Sequence, residues 1–187
     1  MTDDASFPRL VSLACHDVRT PLATVFGFAR MIERAGKLDE QSSRFVGMIA
    51  EASSEMANLL DELATVARIE SGRWEPAIAE ADTLDLATTE DERVAATGAG
   101  VTIETEAQAV RRSLRALAIA AIRHGPVESV TWTVDGRLLE LGRVTGSAAP
   151  IVLGEEIRDL GSLVARRVIE TLGGSLELDG DRLRVAL

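Results

Sequence analysis

Between Phe7 and Ala35 the chain reads FPRLVSLACHDVRTPLATVFGFARMIERA, with apolar side chains recurring at Phe7, Val11, Ala14, Val18, Leu22, Val25, Ala29 and Ile32. Steps of three and four sustained over that length predict one long helix with a narrow apolar seam. Gly36-Lys37-Leu38-Asp39 reads as a break, with Gly36 in the usual place after a helix C-terminus. A second periodic run follows at Phe45, Ile49, Ala52, Met56, Leu59, Leu63 and Val66 and ends near Ser71-Gly72. Two long helices and a short loop make an antiparallel hairpin. A lone hairpin leaves its stripe wet, so two copies are expected to pair as a homodimeric four-helix bundle.

The rest of the chain has a different rhythm. Trp74-Glu75-Pro76 opens a connector, and the expected domains are residues 1–75 and 76–187. Within 76–110 the reading is a helix from Leu84 to Thr97 and a strand at Val101–Glu104. Residues 111–123 read as a helix, followed by strands at Ser129–Val134 and Arg137–Val144 joined by the turn pair Asp135-Gly136. A helix over 159–172 stops at Gly173-Gly174, and Leu176–Leu178 with Arg182–Leu187 close the chain as a second hairpin. This mixed order predicts a small α+β sandwich behind the helical part.

Composition narrows the function classes. The net charge of −10 argues against nucleic acid or an anionic membrane surface as the main partner. The charge is uneven: residues 1–75 carry −4, 76–110 carry −7 and 111–187 carry +1. A single cysteine excludes an internal disulfide and a Cys-based zinc site, and suits a reducing cytoplasm. No run approaches 18 consecutive apolar residues, and Met1-Thr2-Asp3-Asp4 lacks a signal peptide's basic start, so a soluble cytoplasmic chain is expected.

The chemistry concentrates at His16-Asp17-Val18-Arg19-Thr20-Pro21-Leu22. His16 lies two residues from seam positions Ala14 and Val18, which turns it toward solvent. Neutral imidazole has one nitrogen able to attack phosphorus, while its other N–H needs an acceptor. Asp17 is placed to hold that proton. Thr20, at i+4, shares the face of His16, where its hydroxyl can orient a water. Arg19 is read two ways, as a stabiliser of phosphoryl charge or as half of an ion pair with a nearby acid. Pro21, inside the helix, removes a backbone hydrogen bond at a cost of roughly 3 kcal/mol or more. A kink beside His16 is expected, either a tolerated bend or a loosening around the histidine. Cys15 reads as a packing residue, and His16 and His124 are too far apart in sequence to suggest a metal site.

The seven-residue stretch resembles the phosphoacceptor box of two-component sensor histidine kinases, commonly His-Glu/Asp-Leu/Val-Arg-Thr-Pro-Leu. Met48–Met56 through Ala67-Arg68-Ile69-Glu70-Ser71-Gly72 is similar to the family's second dimerisation helix. The resemblance implies that His16 carries phosphate, Asp17 assists, Thr20 supports dephosphorylation and a response-regulator receiver domain is the partner. Docking is expected beside His16, with Thr24, Phe28, Met31, Met56 and Leu60 as contributors that equally suit a core.

Residues 101–187 resemble the family's ATP-binding domain in outline, with its nucleotide chemistry stripped. The helix Leu117–His124 is similar to one whose asparagine holds magnesium in the family; here Ala120 stands there, and Asn58 is the only asparagine in the chain. Thr145-Gly146-Ser147-Ala148-Ala149-Pro150 replaces the adenine-binding Asp-x-Gly-x-Gly. Asp159-Leu160-Gly161-Ser162 replaces the last glycine motif, and an aspartate facing phosphates repels them. The lid segment between Val144 and Leu160 is short.

Three readings follow. The first is a histidine phosphotransferase that binds no cofactor itself, magnesium coming from the receiver domain. The second is a pseudokinase acting as a response-regulator phosphatase or an adaptor. The third is a kinase with a divergent nucleotide site.

Overall fold

A computed structural model describes residues 6–36 and 38–187; the readings at Met1–Asp4 and at Lys37 fall outside them. The chain divides into two compact units, Met1–Arg73 and Trp74–Leu187.

The first unit is a helical hairpin. Helix α1 spans Ser6–Ala35 and runs unbroken through Pro21; α2 spans Glu40–Glu70. Asp39 caps α2 by accepting a hydrogen bond from the Ser42 N–H at 2.7 Å, which satisfies one of the otherwise orphaned first-turn donors. The face the two helices share is built from small side chains. Cys15 and Ala29 on α1, with Ala50, Ser53, Ala64, Thr65 and Ala67 on α2, are the buried residues. Small side chains at the crossing let the two backbones approach closely.

The expected seam is left largely exposed by a single hairpin. Of its α1 positions, Phe7, Val18, Val25 and Ile32 are exposed, as are Phe45, Ile49, Met56, Leu59 and Leu63 on α2. One hairpin buries one stripe, which takes Ala29 from the seam, and the larger apolar residues lie outside it. Cys15 is 1% exposed, a packing residue as expected.

The second unit is a two-layer α/β sandwich. Its five-stranded sheet has the order β2-β4-β5-β7-β6, from β2 (Val94–Gly100), β4 (Val130–Gly136), β5 (Leu138–Leu141), β6 (Ser175–Asp179) and β7 (Arg182–Ala186). β2 pairs parallel with β4, and the remaining ladders are antiparallel. β1 (Ala79–Asp82) and β3 (Thr102–Thr105) form a separate antiparallel pair. Helices α3 (Thr83–Ala87), α4 (Ala107–His124), α5 (Ala149–Val152) and α6 (Leu160–Thr171) complete the unit.

Alternation along the strands sorts side chains to two faces. Val130, Trp132, Val134, Leu139, Leu141, Leu183 and Val185 join Leu114, Leu117, Ala118 and Ala121 of α4 in one buried core. On the other face Glu140 stands opposite Arg184 and accepts from its Nε at 2.7 Å, with Arg182 Nη1 at 3.3 Å.

The expected helix from Leu84 to Thr97 is wrong. α3 stops at Ala87 and β2 begins at Val94. Alanine favours helix, but here Ala95, Ala96 and Thr97 pair with Thr131, Trp132 and Thr133 of β4, and tertiary pairing overrides propensity. Gly98 holds φ +120°, and a Cβ there would lie 2.0 Å from the Val134 carbonyl oxygen, so this strand tolerates no side chain at that point. Strand β1 and the four-residue α5 are further elements that the sequence reading lacked.

The turn into β2 carries an acid-sensitive lock. Asp91 accepts from Arg93 Nε at 2.9 Å, from Nη2 at 2.7 Å and from the Arg93 backbone N–H at 3.1 Å. The guanidinium's hydrogen bonds lower the Asp91 carboxyl to about 2 from 3.8. A depressed folded pKa contributes stability above the unfolded pKa that is lost as pH falls through the folded one. With Arg93 half-exposed, about 1 kcal/mol of unit stability should disappear between roughly pH 5 and pH 2. Asp91→Asn should remove that increment at neutral pH and flatten the acid limb of a urea-unfolding series.

Candidate phosphoacceptor site

His16 projects from α1 with 75% of its side chain exposed. Its Nδ1 lies 3.2 Å from Asp17 Oδ1, and a carboxylate only accepts, so Nδ1 carries the proton of that contact and, in the neutral ring, Nε2 is the nitrogen with the lone pair. The imidazole is positioned by a continuous helix whose neighbouring residue, Cys15, is buried against the hairpin; one step of 100° carries the next side chain outward.

Arg19 and Thr20 follow on the same helix. The Arg19 guanidinium is ion-paired with Asp61 on α2, half-exposed on both sides. Of the two roles open for Arg19, the resting chain displays the ion pair. Sequence reasoning missed Asp61, which is 42 residues from Arg19. Thr20 is exposed, and its carbonyl accepts from Thr24 Oγ1 at 3.2 Å. Among the expected docking contributors, Phe28, Met31 and Met56 are exposed at 58%, 65% and 48%, Thr24 is exposed, and Leu60 is half-buried.

Residues 9–72 match the His Kinase A (phospho-acceptor) domain. The hairpin matches this phospho-acceptor domain along nearly its whole length. Relatives point the same way. Sensor protein DivL of Caulobacter vibrioides is 28% identical over 95 residues, which cover 50% of this chain and 12% of DivL. Probable sensor histidine kinase TcrY of Mycobacterium tuberculosis is 31% identical over 65 residues, 35% of this chain and 14% of TcrY. The matches thus span well under a fifth of these curated relatives.

Full-length ShkA in complex with AMPPNP shares the fold at a TM-score of 0.64 and 21% identity, covering 95% of this chain and 44% of that one. Histidine kinase AdeS of Acinetobacter baumannii does so at 0.54 and 18%, covering 91% and 94%. The two long helices and the α/β unit together share the fold of these two structures. No helix among the described residues is long and apolar enough to cross a membrane.

The residues at the expected nucleotide positions of the second unit serve the fold. Ala120 is 1% exposed in the core, and its methyl group offers a magnesium ion no ligand. Asp159, 8% exposed, caps α6: its Oδ1 accepts from the Ser162 N–H at 3.0 Å. Its Oδ2 accepts from Arg123 Nη1 at 3.0 Å and lies 3.2 Å from His124 Nε2, both at the end of α4. The positive N-terminus of α6 thus already faces a carboxylate held by two α4 side chains. Ser147 Oγ donates to the His124 carbonyl at 3.1 Å, tying the loop that replaces the adenine motif to α4. Gly174, retained from the glycine pattern, is required by packing: a Cβ there would lie 2.5 Å from the Ala186 carbonyl oxygen and 2.8 Å from Ile169 Cγ2. Among the described residues no group of three or more His, Cys, Asp or Glu side chains is disposed to hold a metal ion.

Asp159→Ala should destabilise the second unit by about 2 kcal/mol, the usual cost of a lost cap with the further loss of its buried pairing. Asp159→Asn, which keeps the cap, should recover part of it in the same urea titration.

Proposed function

We propose that the chain is a histidine phosphotransferase of a two-component phosphorelay, carrying phosphate on His16 to or from an aspartate of a response-regulator receiver domain, without productive ATP binding. The observation that carries this reading is the exposed imidazole with Nδ1 engaged by Asp17 and Nε2 open. In the forward step the Nε2 lone pair attacks the phosphorus of the receiver's aspartyl phosphate. The N–P bond forms, the acyl O–P bond breaks, and the aspartate leaves as carboxylate. Asp17 keeps the ring in the reactive tautomer and offsets its rising positive charge. The receiver domain supplies the divalent cation that neutralises the phosphoryl oxygens.

The second unit supports the ATP-independent part of the reading. Full-length ShkA, which shares the fold over 44% of its length, is in complex with AMPPNP. Here Ala120 and the self-capped Asp159 remove a metal ligand and place negative charge at a helix N-terminus. The exposed apolar residues of α1 and α2 support a homodimer in which a second hairpin covers them. The single cysteine suits the reducing cytoplasm.

Exposed Thr20, one turn beyond His16, favours one second reading: a phosphatase that orients water against the receiver's phosphoaspartate. One experiment separates them. The full chain is mixed with a receiver domain phosphorylated on aspartate with labelled phosphate. Label appearing on His16 is the expected result. Free phosphate with no labelled chain identifies the phosphatase. Calorimetric binding of ATP with magnesium would overturn the ATP-independent reading.

A further inference from the structure

We propose that Asp61 is a positioning residue of the phosphoacceptor site, holding the Arg19 guanidinium on α2 until a phosphoryl group on His16 draws it away. The inference rests on the reading of His16 as the phosphate carrier and adds how that site handles charge. Arg19 lies three residues after His16 on α1, a spacing that puts side chains about 5–6 Å apart at Cβ on one helical face. Yet its guanidinium reaches across the hairpin to Asp61 rather than along its own helix. Asp61 is firmly seated: its carbonyl accepts from Thr65 Oγ1 at 2.8 Å, and Thr65 is buried between the helices.

Two anions therefore compete for one guanidinium. The Asp61 carboxylate offers one negative charge, whereas a phosphoryl group brings about two and three acceptor oxygens. Arginine's planar fork suits bidentate phosphate binding, so the phosphorylated state favours the new partner. Both ends of the resting pair are half-exposed, at 44% and 47%, which keeps the pair weak enough to exchange. Asp61 keeps the cation engaged on α2, so removing its charge frees Arg19 to meet an incoming anionic donor.

The test uses phosphoramidate as donor with the full chain. Nε2 attacks its phosphorus, the donor's P–N bond breaks, ammonia leaves and an N–P bond forms on His16. Asp61→Asn should speed phosphorylation about threefold, the scale of a half-exposed ion pair. Asp61→Glu should return the rate to that of the unaltered chain. In an Arg19→Ala background, Asp61→Asn should have no effect. A merely structural role would change the rate equally with and without Arg19, and that outcome overturns the proposal, as does an unchanged rate in Asp61→Asn alone. An independent readout avoids the variants: the Arg19 Nε–H resonance of the unaltered chain should shift on phosphorylation, and a fixed resonance counts against the exchange. Failure of His16 itself to accept phosphate sinks the phosphotransferase reading and this inference together, whereas normal uptake without Arg19 coupling sinks only the latter.

Discussion

Replacing His16 with alanine removes phosphate uptake from a phosphorylated receiver domain altogether and leaves the fold intact. The imidazole is three-quarters exposed and bonded only to its neighbour Asp17 among the described contacts, so truncation opens no cavity and orphans no buried group. Surface changes of this kind alter stability by about 0.5 kcal/mol or less. The nucleophile, by contrast, has no substitute: Cys15 is buried and His124 is committed to Asp159 in the other unit. Asp17→Ala should be graded rather than absolute, slowing transfer about a hundredfold because the ring loses the acceptor that fixes its tautomer. Transfer of labelled phosphate, followed beside circular dichroism of the same samples, checks both. Residual transfer in the His16 variant would move the chemistry to another residue.

Trp132→Ala should cost the second unit about 3–5 kcal/mol, enough to unfold much of it. Trp132 is fully buried on central strand β4, between Ala96 of β2 and Leu141 of β5. Ala96 leaves the room that the indole fills. Among the described residues the indole N–H finds no acceptor, and an unpaired buried donor costs about 1–3 kcal/mol. Trp132→Phe should therefore be much milder than the alanine variant, because it forfeits volume while removing the orphaned donor. Urea unfolding followed by circular dichroism gives both values. Equal losses for the two variants would count against the argument from volume, since phenylalanine keeps most of the ring's bulk and alanine none of it.

The hairpin was legible because its apolar period repeats over two long segments, and because Gly36 and Asp39 punctuate the break. What periodicity did not give was which stripe faces the chain's own partner helix. Cys15, Ala29, Ala50 and Ser53 are small or polar and register weakly beside Phe, Ile and Leu, yet they form the close crossing. The Arg19–Asp61 pair was hidden for a related reason. Only the hairpin's register brings residues 42 apart together, and no local pattern announces it. In the second unit, the sequence reading set Asp159 where the resemblance places a glycine motif. Its actual work, capping α6 while meeting Arg123 and His124, depends on contacts 35 and 36 residues away. Residues 84–97 were misread because alanine and acidic residues favour helix locally, whereas the parallel partner of β2 lies some thirty-five positions on.

Large apolar side chains left wet along α1 and α2 tie this molecule's behaviour to its abundance. Where covering them takes another molecule of the same kind, mass action adds a dilution term to the folding equilibrium, and melting temperature climbs with each increase in protein concentration. Under such pairing a dilute sample would hold a larger share of its molecules as separate, less stable hairpins, with no change in any residue near the imidazole.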